Sequence, residues 1–345
     1  MKRPGLLLTA VTLLCALALQ IPTAAQEKPA TQQQTAGAPA VAPAAAPTSQ
    51  AKLVAQMPGG TATKPYHFPP VASKTLANGL RVFVVTSRAM PAVSVRLVIT
   101  SAGAVNDPEG KSGLASLTAS LLTQGTDTRT AEQIAEAIDF VGGSLSASAG
   151  DDGTFAECTV VKKDFDLGMD LLSDVILHAN FKQDEIERQR QQLLSNLQVN
   201  YDDPDYLASA AIQRVLFAAH PYGLPNEGTP TSVNMLTRDD LVHFRDASYL
   251  PGTAMLAFSG DVDPDVAFAA AQNYFGGWQK KPAPPAAPPV TASLSGIHIY
   301  VIDKPDAVQT QIRVGKPGIR RADPDFIPLF VADRVFGGGY NSRLN

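Results

Sequence analysis

The sequence predicts an α+β fold. Three observations carry that expectation. Alternating apolar runs punctuated by turn signals occur at 74–100 and 142–161. Apolar residues at three- and four-residue steps fill most of 112–246. A proline-alanine stretch, 280–296, is followed by further strand-like and helical runs. Hairpins and helices in separate blocks, rather than a strict strand-helix alternation, define the class. With 345 residues, 45% of them hydrophobic, the chain can bury one large core or two ordinary ones. A net charge of −4 excludes an electrostatic case for nucleic acid or anionic membrane as partner.

The N-terminus, "MKRPGLLLTAVTLLCALALQIPTAAQ", has a basic start, an apolar stretch from Leu6 to Leu19 and small residues at Thr23 and Ala25. It reads as a secretory signal peptide over 1–25, with an uncleaved anchor as the alternative. Export follows, to the periplasm if the source is a diderm bacterium, with no membrane span once the signal is cleaved. Residues 26–68 are rich in Ala, Pro, Gln and Thr and are expected to form a disordered tether. Of the two cysteines, Cys15 belongs to the signal, so Cys158 stands without a disulfide partner. Its place in the alternating run "TFAECTVV" marks a buried strand residue rather than a nucleophile.

The folded part is expected over 69–279. Asn78-Gly79 is a hairpin turn inside "KTLANGLRVFVVTS", and "AVSVRLVIT" is the next strand. Ser112 to Gln124 reads as a helix. Thr130 to Val141 reads as a better one, with Thr130 and Gln133 spaced as a capping box. "GGSLSASAG" and "GTFAECTVV" form a strand pair. Helices are expected over Asp164–Ala179, Gln183–Tyr201, Pro204–Ala218 and, after Thr237, Arg238–Asp246. "TAMLAFSGDVDPD" is a strand leading into a helix capped by Asp263, with Pro264 in its first turn, ending near "YFGGW". Beyond the 280–296 linker, "IHIYVIDKP" and "VQTQIRVGKPG" are expected as strands and "DPDFIPLFVADRVFG" as a helix. Residues 297–345 would then begin a second, incomplete domain.

Several of these segments, in this order, resemble the M16 peptidases, the group of insulinase, pitrilysin and the mitochondrial processing peptidase. The carriers are "LANGLRVFVV", "GKSGLASLTASLLTQGT", "HPYGLPNEGTPTSVNMLTRDDLVHF", "YLPGTAMLAFSGDVDPD", "YFGGW" and "DPDFIPLFVADRVFGGGYNSRL", together spanning about 70 to 345. The resemblance implies the LuxS/MPP-like metallohydrolase fold: an antiparallel sheet packed with helices in a duplicated domain, the second copy truncated here.

Active members carry His-x-x-Glu-His on the helix after the glycine-rich entry. Histidines at i and i+4 share one helix face and grip zinc, and the glutamate takes the proton of the metal-bound water. A downstream glutamate completes the ligands. Laid through Gly113-Leu114-Ala115, the first histidine position is Ser116, the base position Ala119 and the second histidine position Ser120. With Arg190 taken as the family's arginine, the downstream ligand position is Asn196 and its acidic companion is Gln189. All four catalytic positions are substituted, so no catalytic residue, no bound metal and no cofactor are expected, although active relatives use zinc.

Nothing else replaces that site. None of His67, His178, His220, His243 and His298 stands four residues from another. Ser116 and Ser120 have no sequence-placed base to activate them. "YDDPDY" lacks the donor spacing of a calcium loop and fits Asp203 capping a helix that opens with Pro204. "FGGGY" is no phosphate loop. The processing peptidase's non-catalytic subunit has a glycine-rich loop that holds substrate, which implies peptide binding at Gly337, Gly338 and Gly339; a tight turn needing positive φ is the competing account. The expected function is an exported, catalytically inactive M16 subunit that binds peptide or unfolded polypeptide, or pairs with an active zinc-bearing M16 partner. The alternatives are an active zinc metalloendopeptidase with unrecognised ligands, and a stand-alone module that traps extended peptides at a sheet edge.

Overall fold

Alternating side chains draw the first folded residues into strands β1 (Ala72–Thr75), β2 (Arg81–Thr86) and β3 (Ala92–Ile99). The computed structural model describes residues 68–218, 220–283, 296–339 and 342–343. The expected signal, most of the tether, most of the 280–296 linker and His67 lie outside those residues. Three further strands, β4 (Ser144–Ala149), β5 (Thr154–Val161) and β6 (Ala254–Gly260), complete one sheet in the order β1-β2-β6-β3-β5-β4.

The sheet is mixed rather than antiparallel throughout. β6 returns after a long helical excursion and inserts between β2 and β3. It runs antiparallel to β3 (Leu97↔Leu256) and therefore parallel to β2 (Val82↔Leu256, Val84↔Phe258). The remaining pairs are antiparallel.

One face of the sheet is apolar and buried: Val82 and Val84, Val93 to Ile99 at every second residue, Ala156, Cys158, Val160, Leu256 and Phe258. Helices α1 (Leu114–Leu121), α3 (Phe165–Leu177) and α8 (Pro264–Phe275) pack onto sheet strands. They share its core cluster through Leu117, Leu171 and Ala267. The opposite face is polar in its middle, where Ser94 Oγ donates to Glu157 Oε1 at 3.2 Å and Thr159 Oγ1 donates to Ser94 Oγ at 3.1 Å. The other helices are α2 (Ala131–Phe140), α4 (Gln183–Asp202), α5 (Pro204–Phe217), α6 (Pro230–Met235), α7 (Arg238–Ser248) and α9 (Phe326–Phe336).

Capping chemistry sets several boundaries. Thr130 and Gln133 form the anticipated capping box of α2. Asp203 accepts from Asp205 N at 2.9 Å and opens α5, and Thr237 caps α7. Side chains then tie distant elements. Asn78 Nδ2 donates to Phe275 O at 2.8 Å, joining the first hairpin to the end of α8. Buried Asp174 accepts from Thr126 Oγ1 at 2.8 Å, Thr128 Oγ1 at 2.9 Å and Arg129 Nη1 at 2.7 Å, fixing the loop between α1 and α2 on α3.

Residues 297–319 correct the expectation. They form no strand, and Ile297, Val301, Val308 and Val314 are each at least 86% exposed. A strand needs a neighbour for its backbone groups. The sheet ends at β1 and β4, neither of which pairs with this segment. The helix predicted beyond it is present as α9. No helix among the described residues is long and apolar enough to cross a membrane.

Candidate functional site: the α1–α4 helix pair and the β4 sheet edge

The loop before α1 is built to fix where that helix starts. Gly113 has φ 95°, and a Cβ there would stand 2.7 Å from Glu227 O. Gly228 approaches from the other side with φ +79°; its Cβ would stand 2.3 Å from Ser112 O. Only glycine fits either place. Asp107 accepts from the first amides of the helix, Gly113 N at 2.9 Å and Ala115 N at 2.8 Å. Its carboxyl is pushed up to about 7, because burial outweighs the backbone donors that favour the anion.

Ser116, Ala119 and Ser120 all lie on α1, and Asn196 lies on α4, which packs against α1. Ser116 and Ser120 are half-buried on one helix face, and Ala119 is fully buried. Arg190 anchors α4 from within. It donates to the Val233 and Leu236 carbonyls at the end of α6 and to Glu187 Oε2 at 3.1 Å. Gln189 is half-buried on the same helix.

The donors do not fit zinc. Ser120 Oγ spends its proton on Leu117 O at 2.9 Å, inside its own helix. Asn196 Oδ1 accepts from Gln192 Nε2 at 3.0 Å. Two hydroxyls and a carboxamide stand where zinc prefers imidazole, carboxylate or thiolate, and the Ala119 methyl cannot accept a proton. Among the described residues no three His, Cys, Asp or Glu side chains are grouped to hold a metal. Beside Asn196 lies a concavity of about 310 Å³ lined by Leu193, Leu197, Val199, Asn200 and Glu227. Nothing in the local pattern "PNEGTP" singles out Glu227, since its place depends on the loop crossing to α4.

The remaining candidates are dispersed. His178 ends α3, His243 lies on α7, and His220 Nδ1 accepts from Tyr222 N at 3.2 Å. His298, expected on a strand, lies in the strand-free segment. Cys158 is buried in β5, and burial pushes its thiol up to about 11. Gly337, Gly338 and Gly339 follow α9, away from α1 in sequence and on another element. None has positive φ, and Gly337 stands at −145°. The left-handed turn is therefore absent there; the helix closes instead with the Gly337 and Gly338 amides both donating to Asp333 O, at 2.8 and 3.1 Å.

The open feature next to α1 is the sheet edge. Among the described residues β4 pairs with β5 on one side only, and α1 packs against it. Leu145, Ala147 and Ala149 face the helix layer, and Ser144, Ser146 and Ser148 are exposed on the other face.

Fold and site define an α+β domain whose α1–α4 pair carries hydroxyls, a methyl and a carboxamide. The family model for insulinase (peptidase family M16) matches residues 81–229, and that for the peptidase M16 inactive domain matches 235–345. The chain belongs to the M16 peptidase family. An uncharacterized zinc protease of Mycobacterium leprae is 34% identical over 279 residues, 79% of this chain and 62% of the relative. One from Rickettsia felis is 27% identical over 270 residues, 78% of this chain and 64% of the relative. This chain thus spans less than two thirds of the length of those relatives. A peptidase M16 inactive domain from Pseudomonas fluorescens superposes with a TM-score of 0.69 at 23% identity, covering 80% of this chain and 66% of that one. A Helicobacter pylori protease gives 0.61 at 23% identity, covering 66% and 54%. At that identity the two structures speak for the fold. The family's second model begins at 235, inside the first sheet's own folding unit, whose β6 comes later in the chain than the match begins.

Proposed function

We propose that this protein is a non-catalytic M16 subunit, exported, that holds extended polypeptide along β4 and works beside a zinc-bearing M16 partner. The observation that carries the reading is chemical. The α1–α4 pair keeps its glycine-fitted entry, its Asp107 cap and its Arg190 anchor, yet presents Ser116, Ala119, Ser120 and Asn196 where ligands and base would be needed. A scaffold preserved around a centre without ligands supports binding without hydrolysis. The free edge of β4 offers main-chain donors and acceptors for an added strand. The basic, apolar and small-residue sequence of 1–25 supports export.

Two measurements on the full chain test this. Elemental analysis after equilibration with zinc should find well below one zinc per chain, and unfolded polypeptide substrates should survive incubation whether or not a chelator is present. Stoichiometric zinc with chelator-sensitive cleavage would establish the alternative of an active metalloendopeptidase. Affinity capture with this chain should recover an M16 homologue that retains His-x-x-Glu-His. Peptide binding by the isolated chain without such a partner would favour a stand-alone module.

A further inference from the structure

Between residue 297 and the start of α9 the chain forms no helix or strand, and it carries five basic residues: Lys304, Arg313, Lys316, Arg320 and Arg321. An exposed, bond-poor segment is where an endopeptidase cuts. Three of the five are shielded from one that cuts after a basic residue. Lys304 and Lys316 stand directly before Pro305 and Pro317. A proline after the scissile bond has no N–H to be held in a cleft, and its ring crowds the carbonyl that must be attacked. Arg313 is engaged on α5. Its guanidinium pairs with Asp205 and donates through Nε to Ser209 Oγ at 3.2 Å. Gly315 lies against the same helix, where a Cβ would stand 3.0 Å from Ile212 Cδ1. Arg320 and Arg321 have neither defence. Both are exposed, and Ala322 follows them. Their turn is held by the bond from Asp323 N to Arg320 O at 3.0 Å and by the Arg321 guanidinium 4.8 Å over the Phe326 ring, both weak where water competes.

We infer that Arg320-Arg321 is a processing site for a trypsin-like endopeptidase, which cuts the Arg321–Ala322 bond. Water adds across that bond, leaving a carboxylate on Arg321 and a free amine on Ala322. The cut frees residues 322–345, with α9 and its exposed apolar side chains Ile327, Leu329 and Phe330. Among the described residues no hydrogen bond or ion pair ties 322–338 to the sheet domain; the bonds there run within 320–343, as from Leu329 N to Asp325 O and from Arg334 Nη1 to Gly338 O. The fragment therefore leaves, and the sheet domain keeps its core from Leu76 to Phe275. Two other exposed basic sites are tied down. Arg88 sits in the short β2–β3 turn and pairs with Asp263. Lys280 lies two residues past Trp278, whose carbonyl accepts from Asn78 Nδ2 at 3.2 Å, and the next residue, Lys281, donates to Asp246 O at 3.1 Å and precedes Pro282.

The test is limited digestion of the full chain with a trace of trypsin, followed over time by intact mass and N-terminal sequencing. Among cuts between residue 68 and the C-terminus, the first should expose Ala322 as a new N-terminus, and the remaining sheet domain should persist at least about tenfold longer than the starting chain. The double variant Arg320→Gln, Arg321→Gln lies at exposed positions and should leave the urea midpoint unchanged while slowing that first cut at least about tenfold. Pro317→Ala should add a cut after Lys316, and Asp205→Ala a cut after Arg313. A first cut within that range at Arg88, Lys280 or Arg313 in the unaltered chain would overturn the assignment. So would a double variant cleaved as fast as the original, or a Pro317→Ala chain that gains no cut, since folded structure would then be guarding the segment.

Discussion

Asp107 is the residue whose chemistry is most sensitive to conditions. Its carboxyl stands at about 7 in the folded protein against a usual value near 4, so the folded state holds the proton more tightly than the unfolded one. Between about pH 4 and 7 stability should therefore fall as pH rises, with a slope approaching 1.4 kcal/mol per pH unit when the difference is a whole proton. Urea unfolding at a series of pH values should show this decline, and Asp107→Asn should flatten it. Asp174 is a second carboxylate on which local structure depends. Asp174→Ala removes the acceptor shared by Thr126 and Thr128 and one of two carboxylates on Arg129, which keeps Asp170 at 2.6 Å; the loss should be about 1–3 kcal/mol, readable as a shift of the urea midpoint. At the centre itself, restoring the donors should restore the metal. The combined variant Ser116→His, Ala119→Glu, Ser120→His and Asn196→Glu should bind zinc tightly enough to survive desalting, and Ser116→His alone should not.

Among the elements, α4 depends on one buried cation. Arg190 satisfies two carbonyls at the end of α6, so Arg190→Ala should cost about 2–4 kcal/mol and loosen α4 against α6. Faster amide exchange confined to those two helices would show it. Where elements announce themselves locally, the chain could be read directly. The Thr130–Gln133 box and Asp203 before Pro204 placed helix starts correctly, because caps act over three residues. Asp263 does precede α8, but its side chain makes no cap bond and accepts from Arg88 instead, so there Pro264 at the first turn marks the start. α6 was missed because "PTSVNM" is too short to show a period, although Thr229 before Pro230 was a usable start signal. The parallel β2–β6 pair was not readable, since its partners lie more than 160 residues apart. The runs at 297–319 alternate well enough for strands, but alternation cannot supply a neighbour. At the site, the substituted positions came from family resemblance. The place of Glu227 beside Asn196 did not, because it depends on the loop crossing to α4.

For the whole molecule, function turns on which surfaces are finished. The helix-covered face of the sheet is closed by a continuous core running from Leu76 to Phe275. The α1–α4 pair carries the Ser120 hydroxyl and the Asn196 carboxamide already bonded within their own helices. The β4 edge and the apolar side chains of 297–336 remain open among the described residues. Family membership alone does not make such a protein a hydrolase.

Cys158 offers a clock for all of this. Its sulfur lies at 0% exposure in β5, with β3 and β4 on either side, and its thiol is held far from the reactive thiolate form. A thiol reagent can reach it only when α3, whose Gly168 lies against the sulfur, lifts from the sheet or the sheet itself opens. The rate at which the peptide bearing Cys158 becomes labelled therefore times that opening, and a bound strand at the β4 border should slow it.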